Sequence, residues 1–209
     1  MEKFDDKEYV NNILRKTGEF TLPRGWSISK PSSSDESLRE KLKELQLPYP
    51  VVAKPIRGRG SYGVKVCASL SALEAHVSEL LEESPTVMIE EFLVGEEATV
   101  TVMPPSKDRD EYWALPIVTR FNHVNGVAPW NGVVAVTANS RVVSEEEYKE
   151  DAKYDEVARE CEGVAKLLGG TAPIRIDIRR FKHGKGERFA LFDVNMKPVS
   201  WEAAIEECD

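Results

Sequence analysis

Cysteine and histidine are scarce, with three of each in 209 residues. Cys67, Cys161 and Cys208 are widely separated and odd in number. They offer neither a disulfide framework nor a C-x-x-C metal or redox pair, which fits reduced intracellular thiols. The histidines are dispersed and no H-E-x-x-H occurs, so the common zinc-hydrolase pattern is missing. No G-x-x-x-x-G-K-[ST] is present, which excludes a Walker A loop. No apolar run approaches the length needed to cross a bilayer, and the opening MEKFDDKEYVNN is too charged for a signal peptide. Positive charge is also in deficit: 28 Lys and Arg stand against 36 Asp and Glu, a formal net charge of −8. No basic stripe is left to track a nucleic-acid backbone, although a few placed cations suffice for one triphosphate. The expectation is a cytoplasmic protein with no nucleic-acid or membrane partner.

What remains is an ordinary globular composition, long enough for one domain or two small lobes. Pro31 to Ser34 form a polar break. After it, Leu38, Leu42 and Leu45 recur at helical spacing over 35–46, and Pro48 prevents continuation. Ser71-x-x-Glu74 reads as a capping box ahead of Leu73, Val77, Leu80 and Leu81. A third helix carries Val157, Cys161, Val164 and Leu168 and stops at Gly169-Gly170. Short β-rich runs fill 51–54, 64–68, 86–91, 97–103, 112–119, 132–138, 173–180 and 188–195. Adjoining hairpin-like loops favour antiparallel pairing. The fold class expected is α+β, in two lobes with a seam near Glu97, the kind of place where ligands sit.

Three stretches carry chemistry. In PIRIDIRR, isoleucines alternate with Arg175, Asp177 and Arg179, so strand periodicity puts Arg175 and Asp177 on one face. In RFALFDVN, Asp193 and Asn195 share a face in the same way. A turn centred on Lys185, between Gly184 and Gly186, sets Asp177 opposite Asp193 and Arg175 opposite Asn195. Two facing acids repel unless neutralised, and Mg²⁺ takes such hard oxygen ligands together with phosphate and water. Either strand alone reads as a solvated polar face; the combined Arg, two Asp and Asn favours a metal site. The second stretch, 51–66 (VVAKPIRGRGSYGVKV), ends an apolar run in Lys54 and continues through Gly58, Gly60, Ser61 and Gly63. Its backbone N–H groups can cradle phosphate oxygens, and taken alone it is equally a plain hairpin. The third, 87–100 (VMIEEFLVGEEATV), is a strand–turn–strand able to offer backbone groups to an adenine edge and a carboxylate to ribose hydroxyls. By itself it reads more simply as acidic residues facing solvent.

Taken together and in this order, these stretches resemble the D-alanine–D-alanine ligase branch of the ATP-grasp family, from about residue 6 to about residue 198. The likeness begins with Asp6-Lys7, Gly18 and Pro23. It implies an ATP-grasp fold, two α+β lobes with mainly antiparallel sheets clasping ATP, here 1–97 and 98–209. It implies Lys7 and Lys54 at the phosphates, with 57–63, including Gly60, Ser61 and Tyr62, as a mobile lid. Glu90, Glu91, Phe92, Leu93 and Phe192 would line the adenine site, and Glu97 would hold the ribose. Arg175 would meet the transferred phosphate as the catalytic cation, and Asp177, Asp193 and Asn195 would hold Mg²⁺. The activity implied is an ATP- and Mg-dependent carboxylate–amine ligase working through an acyl phosphate on small, amino-acid-like substrates. The alternatives are an ATP-binding module without ligation and a phosphotransferase on the same fold. The sequence departs from the family in three places. Asp193-Val194-Asn195 stands where Glu-x-Asn is usual, Val199 stands where glycine is common, and 117–132 differs from the usual substrate loop. That last stretch is read as a specificity loop with Arg120 and His123 as candidates. Such ligases also carry an additional amino-terminal domain, so a missing domain or a partner chain is expected to complete the enzyme.

Overall fold

The computed structural model describes residues 2–30, 37–58, 61–127 and 138–196. Two antiparallel sheets organise them. The first has four strands in the order β1-β4-β2-β3: β1 (Gly25–Ser29), β2 (Val51–Pro55), β3 (Lys65–Cys67) and β4 (Thr86–Glu91). Helices α2 (Leu38–Glu44) and α3 (Leu70–Glu83) pack on it, burying Leu42, Leu73 and Val77 against Val51, Ala53, Val87 and Ile89. The second sheet has six strands in the order β10-β9-β5-β7-β8, with β6 paired to β5. These are β5 (Glu97–Met103), β6 (Trp113–Ala114), β7 (Val118–Arg120), β8 (Ser140–Val142), β9 (Ile174–Arg180) and β10 (Phe189–Asn195). Short α4 (Glu145–Glu150) leads into α5 (Lys153–Leu168), which buries Val157, Cys161 and Val164 on Val100, Val102 and the isoleucines of β9.

The opening helix α1 (Lys7–Thr17) corrects one boundary. Expected with the lobe 1–97, it buries Val10 and Leu14 in the second core instead. Its periodicity shows that one face is apolar, but nothing local says which sheet will cover it. Burying a leucine is worth about 1.5–3 kcal/mol wherever the apolar surface lies. Helix α3 is capped by Ser69, whose hydroxyl accepts from Ala72 N; Ser71, the expected cap, lies inside the first turn. The run 112–119 splits into β6 and β7 around Pro116, which has no N–H to give a ladder. Strands β1 and β8 and helix α4 escaped the periodicity reading. Yet α4 carries a complete capping box, Ser144 with Glu147, that the sequence displays. The third helix ends as expected, with Gly169 in the left-handed region at φ 64°. The expected loop at 31–34 and, apart from Ala138, the expected strand 132–138 lie outside the described residues.

The link between the sheets is pinned to the second. Gly95 N donates to Arg180 O at 3.1 Å and Arg180 N to Glu96 O at 2.9 Å. A side chain at Gly95 would collide with the Lys182 carbonyl and with Arg180. The Arg180 side chain is buried between the rings of Tyr154 and Phe189 and pairs with Glu96 and Asp151. Residues 95–97 are therefore fixed to β9 rather than free to flex, and Glu97 enters the space between the sheets from a firm base.

Candidate functional site

A cleft lies between the two sheets. Lys54, Ser61 and Tyr62 line it from the first sheet and its loop, and Lys7 from the start of α1. Glu90, Glu91, Phe92 and Leu93 line it at the crossing, and Glu97, Arg175, Asp177, Phe192 and Asp193 from the second sheet. Asn195 stands opposite Arg175 in register but is not among the lining side chains, and Gly60 lies outside the described residues.

The β9–β10 pair reaches the expected register by an unexpected route. Asp193 pairs with Asp177 and Asn195 with Arg175. Nearer the turn, however, Phe189 pairs with Arg180 and Leu191 with Ile178. Continued unchanged, that register would set Asp193 against Ile176, on the core face. A bulge at Phe192 shifts the pairing by one residue and turns Asp193 toward the cleft, with Asn195 on the same strand face. Asp177 then accepts from Arg175 Nε at 3.1 Å and Nη2 at 3.2 Å, and from the hydroxyl of its cross-strand neighbour Thr99. Burial pushes the Asp177 carboxyl above its ordinary range; Arg175 opposes that shift and Asp193 adds to it. Lys7 Nζ approaches Asp193 Oδ1 at 3.4 Å.

Lys54 and Glu90 form a buried pair at 2.5 Å, each about 4–5% exposed at the side chain. Lys54 Nζ also donates to Phe192 O at 3.0 Å, joining the first sheet to the bulge in the second. The other Glu90 oxygen accepts from Asn11 Nδ2 at 3.0 Å. Glu90 thus reaches the cleft already engaged and fixes the lysine, while Glu91 N and Phe92 N donate to Arg24 O and Pro50 O. The loop after Lys54 is held at its roots. Lys7 Nζ donates to Gly58 O at 3.1 Å, Lys7 N to Ile56 O at 3.0 Å, and His76 Nε2 meets Gly63 O at 2.9 Å. Tyr62 is 64% exposed, its hydroxyl on Glu83 at 3.1 Å.

Among the described residues, no three His, Cys, Asp or Glu gather around one point. Two facing carboxylates with a neighbouring amide oxygen are a hard-oxygen set, too few for an all-protein cage. They fit a small divalent cation that keeps water and phosphate oxygens as its other ligands.

The family described as the D-ala D-ala ligase C-terminus matches residues 26–199. The chain belongs to this family. A D-alanine–D-alanine ligase of Aquifex aeolicus is 30% identical over 202 residues, 96% of this chain and 61% of that protein. One of Phocaeicola vulgatus is 24% identical over 94% of this chain and 55% of its own length. The chain therefore spans roughly three-fifths of the length of the curated relatives it matches. The fold is shared with the D-alanine–D-alanine ligase of Bacillus anthracis solved with ATP, at TM-score 0.65 and 20% identity over 99% of this chain and 61% of that one. It is shared also with a D-Ala:D-Ser ligase of Enterococcus faecalis, at TM-score 0.68 and 18% identity over 94% and 53%. The two antiparallel α+β sheets facing one cleft are an ATP-grasp fold.

The far end of this ATP-grasp cleft brings the expected Glu97, Arg120 and His123 together with Arg179, which was not among the expected site residues. Glu97 is 8% exposed and has an arginine on either side in register, Arg120 on β7 and Arg179 on β9. Its Oε2 accepts from Arg179 Nη1 at 3.3 Å and meets His123 Nε2 at 2.9 Å. Burial pulls the Arg179 guanidinium below its ordinary range, and Glu97 opposes that pull. The signal for Arg179 was visible: period two puts it on the face of Arg175 and Asp177. His123, by contrast, sits on a loop, and nothing local aims it at Glu97.

Proposed function

We propose that this chain is the ATP-binding core of a Mg-dependent carboxylate–amine ligase acting through an acyl phosphate, on small amino-acid-like substrates in the cytoplasm. The observation that carries the reading is the bulge at Phe192. It turns Asp193 onto the face of Asp177 and Arg175 while its own carbonyl holds Lys54. A register slip repaired in this way gathers acids and cations at one point, and core packing alone has no use for it.

Each residue then has a task set by its position. Lys54, held by Glu90, and Lys7, near Asp193, meet the phosphates, and the lid amides at Gly58 and Ser61 close over them. Phe92, Leu93 and Phe192 pack on the base. Arg175 stands beside the acids where charge develops on the transferred phosphoryl group, so its contribution is positioning and charge stabilisation. Asp177, Asp193 and Asn195 would hold Mg²⁺, which supplies charge neutralisation to the phosphate oxygens. The substrate carboxylate takes the phosphoryl group, and the amine then displaces phosphate from the acyl carbon.

Mg-ATP at a hundredfold excess over its dissociation constant should stabilise the native state by about 2.7 kcal/mol, read as a rise in melting temperature. An unmoved melting curve would overturn the reading. Phosphate release across a panel of amino acids, with and without a candidate partner chain, tests ligation. Nucleotide binding with no turnover in any combination would leave an ATP-binding module.

A further inference from the structure

The geometry points to Arg179, supported by His123, as the positioning residue that makes this cleft select a ribose over a deoxyribose; the assignment rests on the nucleotide reading above. A single guanidinium ties together the link at Gly95, the turn at Gly126, Glu97 and the Phe92 ring. Nε donates to Gly95 O at 3.1 Å, Nη1 to Gly126 O at 2.8 Å and to Glu97 Oε2 at 3.3 Å, and the plane lies 4.9 Å from the centre of the Phe92 ring. His123 Nε2 meets the same carboxylate oxygen. Among the described residues nothing bonds the other oxygen, Oε1, although Glu97 is more than nine-tenths buried and lines the cleft.

A carboxylate only accepts, so what fills this position must present O–H or N–H groups. The neighbouring apolar surface, Phe92 and Leu93, suits the flat base, and Lys7 bonds the loop at Gly58 while Lys54 is held at Phe192 O. That leaves the sugar hydroxyls for Glu97. With Oε2 fixed by Arg179 and His123, Oε1 has one orientation, and the hydroxyl meets a preorganised acceptor. The same guanidinium fixes a cover over this end. Val124 to Val127 form a tight turn with Asn125 and Gly126 at φ 53° and 81°, and the turn packs so closely that a Cβ at Gly126 would crowd Phe92 and Val66. Arg179 holds that turn by the Gly126 carbonyl. Thus the turn 124–127 of the expected specificity loop borders the Glu97 end of the cleft.

The test compares binding of Mg-ATP, Mg-2′-deoxy-ATP and Mg-3′-deoxy-ATP to the wild-type chain and to Arg179→Met, Arg179→Lys and His123→Gln. A hydrogen bond to a charged acceptor predicts that wild type prefers ATP to at least one deoxy analogue by about tenfold or more. In Arg179→Met the preference should shrink to within about twofold through weaker ATP binding, with little change for that analogue. Arg179→Lys, which keeps the charge but not the three-way geometry, should lose most of it too, and His123→Gln only part. A merely structural arginine would weaken all three nucleotides in proportion. Proportional weakening, or an unchanged preference in both Arg179 variants, overturns the assignment while ATP binding by wild type leaves the nucleotide reading standing. Should Arg179→Met not fold, the ratio in Arg179→Lys decides by the same criterion. No binding of any nucleotide by wild type overturns both.

Discussion

The two walls of the cleft are built on opposite plans. On the second sheet the functional side chains are locked laterally. Asp177 is held by Thr99 and Arg175, and Glu97 by Arg179, across neighbouring positions of one β-face, with His123 reaching Glu97 from a loop. On the first sheet the roots of the loop after Lys54 are held by Lys7 and His76, and beyond them Tyr62 lies exposed with its hydroxyl on Glu83. In the function proposed above, one wall fixes geometry and the loop of the other closes over the ligand. The division suits phosphoryl chemistry, where a metal and an arginine must be in place before the substrate and a cover must move after it. Lys54 crosses from the first wall to the second, from its buried pair with Glu90 to the Phe192 carbonyl, so it should be the most sensitive position.

Removing that crossing gives the largest predicted effect. Lys54→Met strips a partner from a pair almost wholly out of water, leaving Glu90 with Asn11 alone. Breaking such a pair costs about 3–5 kcal/mol, measured as a fall in the unfolding midpoint together with loss of ATP binding. Replacing Lys54 and Glu90 together by Met and Leu should recover much of the stability, since no unpaired charge stays buried, and none of the ATP binding. A cost below about 1 kcal/mol for the single variant would mean that the walls are not joined there.

The next prediction addresses the fixed wall. Asp193→Asn retains the side-chain shape on the bulged strand and removes one of two facing negative charges. Its pair with Lys7 is partly solvent-exposed, so stability should change by no more than about 1 kcal/mol. The Mg²⁺ concentration needed for half of the ATP-induced melting shift should rise about tenfold, the loss of one charged oxygen ligand. An unfolded variant, or one with unchanged Mg²⁺ dependence, would make Asp193 a structural residue.

The same contrast governs what the sequence could disclose. The fixed wall was largely legible because a strand repeats every two residues: Arg175, Asp177, Asp193 and Asn195 could be assigned a shared face and a pairing without coordinates. The bulge at Phe192 was not legible, because the pairing centred on Lys185 and the pairing corrected by a bulge give the same partners for Asp177. Glu90 lines the cleft as expected, but its clamp on Lys54 was not legible, since the register between β2 and β4 depends on a helix-long connection that leaves no local trace. Helix α1 changed lobes for a similar reason. A hydrophobic stripe states that it will be buried, not by what. The loops were least legible of all, and His123 shows why: its partner is 26 residues away across a turn whose path depends on Arg179.

The smallest predicted effect concerns the loop of the first wall and is read by hydrogen exchange. The loop's roots are already bonded, at Ile56 and Gly58 through Lys7 and at Gly63 through His76. Ser61 and Tyr62 are exposed, and Ser61 sits at a positive φ of 58° that a side-chain-bearing residue adopts at a cost. Opening this segment gives up few buried contacts, so its exchange in the empty protein should be fast. Closure over a triphosphate would turn amides toward the phosphate oxygens and exclude water. A non-hydrolysable Mg-ATP analogue should therefore slow exchange at Gly58, Ser61 and Tyr62, while adenosine, which lacks the phosphates, should leave them nearly as fast as in the empty chain. The fixed wall supplies the internal control: amides of β5 and β9 should be slow in every state. Equal protection of the loop by both ligands would mean that it senses the base rather than the phosphates. Slow exchange in the empty chain would mean that the two walls are equally rigid, and the contrast between them would be lost.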